Sequence, residues 1–120
     1  MAQMSTGESY CPEAGDLIWI DFDPTVGHEQ RGHRPAYVLT DKSYNSRSGL
    51  CIVCPITSRT RGYPFEVAIP DRRDITIRGA ILADQARSVS WEHRYVKAIE
   101  PAPFLLTDVR ERLAALLGIE

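Results

Sequence analysis

The sequence predicts a mainly β domain closed by one C-terminal helix, an α+β fold of the antiparallel barrel or sandwich kind. Three observations predict it. Short runs of β-forming residues are punctuated by Gly, Pro, Asn and Asp; helical periodicity is confined to the end of the chain; and 120 residues contain no internal repeat and no linker.

Residues 1–14 mix Gly, Ser, Pro and Glu without periodicity and read as a flexible arm ahead of a single domain over 15–120. Asp16–Phe22 is an apolar run between Gly15 and the turn pair Asp23-Pro24, and reads as the first strand. Pro35–Thr40 and Leu50–Ile56 read the same way, with the polar loop DKSYNSRSG between them. Phe65–Ile69 alternates with period two, which turns Glu66 outward between Phe65 and Val67. Ile81–Ala83, Ala86–Trp91 and Tyr95–Ile99 supply the remaining strands. At the end, Val109, Leu113, Leu116 and Leu117 fall at helical spacing, Asp108 and Glu111 suit a D-x-x-E cap, and Gly118 is the expected stop. A helix of about ten residues is ~15 Å long, enough to cover one face of a small barrel.

Composition narrows the function classes. Hydrophobic residues at 43% and charged residues at 25% exclude a disordered chain. No stretch reaches the roughly 20 apolar residues of a membrane span, and no basic segment precedes an apolar one as in a signal peptide. Three cysteines cannot build a disulfide scaffold, so a reducing, cytoplasmic setting is expected. The net charge of −2 conceals a strong asymmetry. Residues 1–27 carry −5, residues 28–97 carry +5, and the remainder −2. Local sign governs attraction of phosphates more than the total does, and the middle of the chain is basic.

Several motifs fail on their spacing. Cys51-x-x-Cys54 lies in a strand, where i and i+3 face opposite ways, and Cys11 is the only other thiol, so these read as buried structural cysteines. His28-Glu29-Gln30-Arg31-Gly32-His33 puts its second histidine at i+5 instead of the i+4 of a zinc-protease helix. Trp19 and Trp91 sit in strand-like runs and read as core. No phosphate-binding Gly-rich loop, dinucleotide fingerprint, G-x-S-x-G or magnesium-holding carboxylate cluster is present, and no cofactor is expected.

Two loops concentrate chemistry. Residues 28–34 pack a carboxylate, two imidazoles and two guanidiniums ahead of Pro35. Residues 57–64 offer Thr57, Ser58, Arg59, Arg61 and Tyr63, which suit phosphate clamping and base stacking, while Gly62 and Pro64 equally suit a hairpin connection. A third cluster, Asp71-Arg72-Arg73-Asp74 with Arg78 nearby, alternates in sign and reads as a self-neutralised loop in a supporting role at most. An enzyme built from such groups can cleave RNA without metal. The substrate's own 2′-OH attacks phosphorus, and the protein moves protons and stabilises the phosphorane.

The run Gly15-Asp16-Leu17-Ile18-Trp19-Ile20-Asp21-Phe22-Asp23-Pro24, followed by Gly27-x-Glu29-Gln30-x-Gly32-His33-Arg34-Pro35, resembles the opening of the MazF/PemK toxins. The likeness continues through Tyr44-Asn45, Gly49, Pro55, Thr57, Gly62-Tyr63-Pro64-Phe65-Glu66-Val67 and Leu82-Ala83-Asp84-Gln85, and covers roughly residues 15–91. The resemblance implies an SH3-like, partly open antiparallel β-barrel, shared with the CcdB toxins, with a C-terminal helix. It also implies a homodimeric, sequence-specific, metal-independent endoribonuclease that cuts single-stranded RNA to 2′,3′-cyclic phosphate and 5′-OH ends. An antitoxin with an acidic, disordered tail is the implied partner.

By the same resemblance the active-site residues are Arg34, Thr57 and Glu29. A guanidinium is cationic at any workable pH, so Arg34 best suits stabilisation of the phosphorane oxyanion. Thr57 can hydrogen-bond a phosphoryl oxygen, and Glu29 is either a base or an orienter of Arg34. His33 is the nearest group that ordinarily exchanges protons near neutrality, with a structural imidazole the equal alternative. Arg31, His33, Ser58, Arg59, Arg61, Tyr63 and Gln85 are the expected RNA contacts, with loops 27–34 and 57–64 as groove walls. The rival readings are a non-enzymatic CcdB-like toxin that binds DNA gyrase, and an SH3-like module that binds peptide or RNA without turnover. The first requires no Arg34–Thr57 pair, and the second no Glu29 beside Arg34.

Overall fold

The computed structural model describes residues 10–21, 33–94 and 96–119. Its strands are β1 (Asp16–Asp21), β2 (His33–Val38), β3 (Leu50–Thr57), β4 (Glu66–Ala68), β5 (Ala80–Leu82), β6 (Arg87–Ser90) and β7 (Lys97–Pro101). They pair antiparallel in the order β4-β5-β3-β2-β1-β7, and β6 also pairs with β3. The sheet is curled but open, and a helix follows its last strand. The expected α+β class holds.

Side chains alternate along each strand, so the sheet builds a separate core on each face. Leu17, Tyr37, Cys54 and Ile81 face one way, and pack with Leu105 and Val109 beneath the C-terminal helix. Ile18, Ile20, Ala36, Val38, Cys51 and Val53 face the other. Each such aliphatic residue stabilises the fold by roughly 1.5–3 kcal/mol when fully buried. A one-residue slip would exchange the two sets, so the pattern pins the register. Cys51 and Cys54 lie in opposite cores as their spacing requires, and burial pushes both thiols up to about 12.

Four expectations need revision. The segment read as a polar loop contains a helix, α1 (Lys42–Ser48), ended by Gly49. It lacks an apolar stripe and is held instead through the fully buried Asn45. The Asn45 amide donates to the carbonyls of Pro12 (2.9 Å) and Thr40 (2.8 Å) and accepts from the Thr40 hydroxyl (2.6 Å). Its own carbonyl accepts from the Trp91 indole at 3.0 Å.

Residues 10–14, grouped by sequence with the arm, pack on the sheet. Pro12 is fully buried, and Tyr10 lies against the second core. The Tyr10 hydroxyl donates to Asp16, and the Glu13 amide donates to the same carboxylate at 3.0 Å. Burial pushes the Asp16 carboxyl above the usual range against the pull of those hydrogen bonds. Residues 1–9 lie outside the described residues.

The C-terminal helix, α2 (Leu106–Leu117), begins earlier than the D-x-x-E signal suggests, after a 3-10 turn at Pro103–Leu105. Asp108 therefore lies within its first turn and pairs with Arg112 at 3.0 Å. Gly118, at φ 75°, ends it as expected, with Ile119 N–H reaching back to the Ala114 carbonyl at 2.8 Å. Trp19, expected in the core, is 38% exposed, because its face of β1 is not covered at that point.

Candidate active site

The β2–β3 ladder pairs Val38 with Val53, Tyr37 with Cys54 and Ala36 with Pro55. That ladder ends at Ala36 and Pro55, two residues short of Arg34 on β2 and of Thr57 on β3. The two side chains share one groove of about 730 Å³, together with His33, Ser58, Arg59 and Gln85. A hollow of about 310 Å³ adjoins it, with Thr57, Arg59 and Gln85 common to both, and adds Arg61 and Tyr63. Eight of the ten residues expected from sequence thus line one continuous trough. Glu29 and Arg31, with the rest of segment 22–32, lie outside the described residues.

Local chain geometry sets the trough. β3 pairs with β6 over Leu50–Val53 and with β5 over Ile56–Thr57. Had the β5 register run on, Val53 would face Asp84; it faces Arg87 instead. The 3-10 turn Ala83–Gln85 absorbs the difference and lifts Gln85 to the rim, exposed. At the end of β3 the Thr57 hydroxyl oxygen accepts from the Arg59 amide at 3.0 Å. That bond fixes the hydroxyl and leaves its hydrogen to donate outward.

The connection from Ser58 to Phe65 is braced from beneath by two residues that sequence reasoning missed. The Glu66 carboxylate accepts from the Arg61 amide (3.1 Å to each oxygen) and the Gly62 amide (2.9 Å). Read as outward-facing from its alternation, Glu66 is half-buried and turned to this loop. Arg112, on α2, donates to the carbonyls of Pro64 and Glu66, the latter at 3.2 Å. Because backbone groups take the bracing, the side chains stay available: among the described residues, Arg59 and Arg61 enter no ion pair. Tyr63 is 53% exposed, a ring open to stacking.

Arg78 and Arg87 also line the larger groove and were not among the expected contacts. Gly79 was missed as well. At φ +118°, it passes so near β3 that a Cβ there would lie 2.0 Å from the Thr57 carbonyl oxygen. Only glycine permits this approach.

The self-neutralised reading of the third cluster holds for its pairs: Arg72–Asp74 at 2.8 Å and Arg78–Asp71 at 2.7 Å. Among the described residues, no three His, Cys, Asp or Glu side chains converge as ligands of a metal ion. No helix among them is long and apolar enough to cross a membrane.

Comparison with known proteins places this geometry. Residues 13–117 match the model of a family described as PemK-like, MazF-like toxins of type II toxin–antitoxin systems. The endoribonuclease toxin MazF of Escherichia coli K12 is 45% identical over 111 residues, 91% of this chain and 96% of that protein. The crystal structure of MazF from Deinococcus radiodurans superimposes with a TM-score of 0.82 at 46% identity, covering 92% of this chain and all of that one. The same toxin crystallised as MazE–MazF gives 0.81 at 41% identity, over 93% of this chain and all of that one. The chain belongs to the MazF/PemK family, the RNA-cleaving toxins of type II toxin–antitoxin systems.

Proposed function

We propose that this toxin cleaves single-stranded RNA at defined sequences, without metal, by attack of the substrate's 2′-OH on the adjacent phosphorus. The observation that carries the reading is that Arg34 and Thr57 line one cationic groove. As O2′ bonds to phosphorus, its proton passes to a base and the P–O5′ bond breaks. O5′ takes up a proton, leaving a 2′,3′-cyclic phosphate and a 5′-OH. Negative charge on the phosphorane oxygens peaks between these events, and a fixed guanidinium there stabilises the transition state more than the ground state.

Arg34 has that role. Thr57, its oxygen already committed to the Arg59 amide, donates its hydroxyl hydrogen to a phosphoryl oxygen. Glu29 is the base or orients Arg34, and His33 is the second proton-exchanging group at the groove. Arg31, Ser58, Arg59 and Arg61 hold phosphates, Tyr63 stacks on a base, and Gln85 reads a base edge from the rim. The active unit is a homodimer. Its cognate antitoxin inserts an acidic, disordered tail into the same groove, where the basic surface favours it.

The test is incubation of the purified protein with a long single-stranded RNA in EDTA. Cleavage at a short recurring sequence, with cyclic phosphate and 5′-OH ends, is expected. Arg34→Ala should remove it while leaving the fold intact by circular dichroism. A single 2′-deoxy nucleotide at the cut site should block that bond alone. Cleavage of the deoxy bond, or full activity of Arg34→Ala, overturns the mechanism. Binding of DNA gyrase without any RNA cleavage would favour the CcdB-like reading.

A further inference from the structure

We propose that Arg78 is a further phosphate contact for the RNA, held ready by Asp71, which the incoming phosphate displaces. This rests on the ribonuclease reading above. Four observations support it.

First, Arg78 is anchored beside the chemistry. Its neighbour Gly79 is pressed against β3, where an added Cβ would lie 2.0 Å from the Thr57 carbonyl oxygen and 3.2 Å from the Ser58 Cα. Ala80 pairs with Thr57 in the ladder, and the Gly79 carbonyl accepts from the Ile69 amide at 3.0 Å. Consecutive Cα atoms are ~3.8 Å apart, so the Arg78 side chain starts within one residue of a strand contact to Thr57.

Second, the loop from Pro70 to Gly79 is built, not loose. Ile75 and Ile77 enter the core, which turns Thr76 and Arg78 outward between and beyond them. The Thr76 amide and hydroxyl donate to Glu100 at 2.7 and 3.0 Å. Arg72 lies 4.1 Å over the Phe104 ring and pairs with Asp74. Arg78 therefore extends from a fixed base.

Third, Arg78 lines the groove that holds Arg34 and Thr57. Arg73, on the same loop with the same charge, does not line it.

Fourth, the Arg78–Asp71 bridge suits exchange. It rests on one 2.7 Å contact between side chains that are 61% and 87% exposed. Such a pair contributes little to stability, whereas a phosphate offers the guanidinium fork a bidentate partner. Asp71 thus keeps the side chain extended in the free enzyme and opposes weakly held anions. The ligand is the phosphate of a nucleotide neighbouring the cut bond, because Arg34 and Thr57 occupy the reacting one.

The experiment measures binding of a mixed-sequence 2′-O-methyl RNA, which cannot be cut, across a salt series, alongside cleavage kinetics on unmodified RNA. Arg78→Ala should weaken binding ~5-fold and reduce the slope of log affinity against log salt by about 0.7, the loss of one single-strand phosphate contact. The cleavage deficit should fall on KM. Arg78→Lys should recover part of the affinity, and Asp71→Asn should tighten binding about twofold by removing the competing carboxylate. Arg73→Ala should match wild type.

Unchanged binding in Arg78→Ala would overturn the proposal. So would an equal loss in Arg73→Ala, which would mean general charge, or a loss in Asp71→Asn equal to that of Arg78→Ala, which would make the pair structural. If the wild-type protein binds RNA but cleaves none, the ribonuclease reading fails, and the 2′-O-methyl RNA still decides the fate of Arg78.

Discussion

Two arginine-bearing loops stand at the same corner of the sheet and differ in whether their arginines are already engaged. The Ser58–Phe65 connection is fixed through its backbone, by the Glu66 carboxylate on two amides and by Arg112 on two carbonyls. Its arginines are spared. The Pro70–Gly79 loop also has a carboxylate on its backbone, Glu100 on the Thr76 and Ile77 amides, but its arginines are engaged as well, Arg72 and Arg78 being bound to its own acids. A count of cations along the chain does not separate these cases. What decides whether an arginine meets a phosphate directly or only by exchanging a carboxylate is whether an acid of its own loop already pairs with it.

The largest break expected is at Gly79, where the second loop meets β3. Gly79→Ala must place a methyl group 2.0 Å from the Thr57 carbonyl oxygen at a φ of +118°. The cost should be on the order of 3 kcal/mol or more, visible as a lower urea midpoint. Any folded fraction should cut RNA poorly, because relief of the clash moves Thr57. An unaltered midpoint would show that the approach to β3 is looser than described.

Glu66→Ala tests the backbone brace and should come next. Two amides lose their acceptor at a half-buried carboxylate, so a loss of about 1–2 kcal/mol is expected. RNA cleavage should fall ~10-fold, more than stability alone explains, because Arg59, Arg61 and Tyr63 lose their fixed base. Glu66→Gln keeps an acceptor oxygen and should lie between. Arg72→Ala, in the loop whose arginines are paired, should leave cleavage close to wild type. Equal activity losses in Glu66→Ala and Arg72→Ala would erase the distinction between the loops.

These differences explain what was legible in the sequence. Strand positions follow from local side-chain type, and the runs at Asp16, Leu50 and Phe65 announce themselves through β-branched and aromatic residues. The meeting of Arg34 and Thr57 in one groove is not local: it depends on the pairing of β2 with β3, whose register is set by core alternation on both faces. Family resemblance supplied the two residues, but only the folded sheet brings them to one groove. The helix α1 escaped because its one buried anchor, Asn45, is polar and gives no apolar periodicity. Glu66 was misread for a related reason: period-two alternation gives a direction, not a partner. Arg78 illustrates the limit of charge patterning, since its neutralising acid was legible while its place in the groove depends on a glycine pressed against another strand.

The smallest effect separates the loops by pH. The Arg72 guanidinium beside Asp74 holds that carboxyl below the usual carboxylate range. A carboxyl lowered on folding releases its proton more readily in the folded chain. Its contribution to stability is therefore complete above the unfolded value near ~3.9 and is lost as pH falls through the lower folded value. Because Asp74 is exposed, the change in stability should be slight and further screened by salt. The carboxyl itself is the better reporter. In a carbon-detected NMR titration Asp74 should titrate below its ordinary midpoint in wild type and return to it in Arg72→Ala, with RNA cleavage unaffected. If its midpoint were ordinary in wild type, the pairing of Arg72 with Asp74 would not hold in solution. The second loop would then present an additional unpaired arginine, and the contrast with the first would narrow to the Arg78–Asp71 pair.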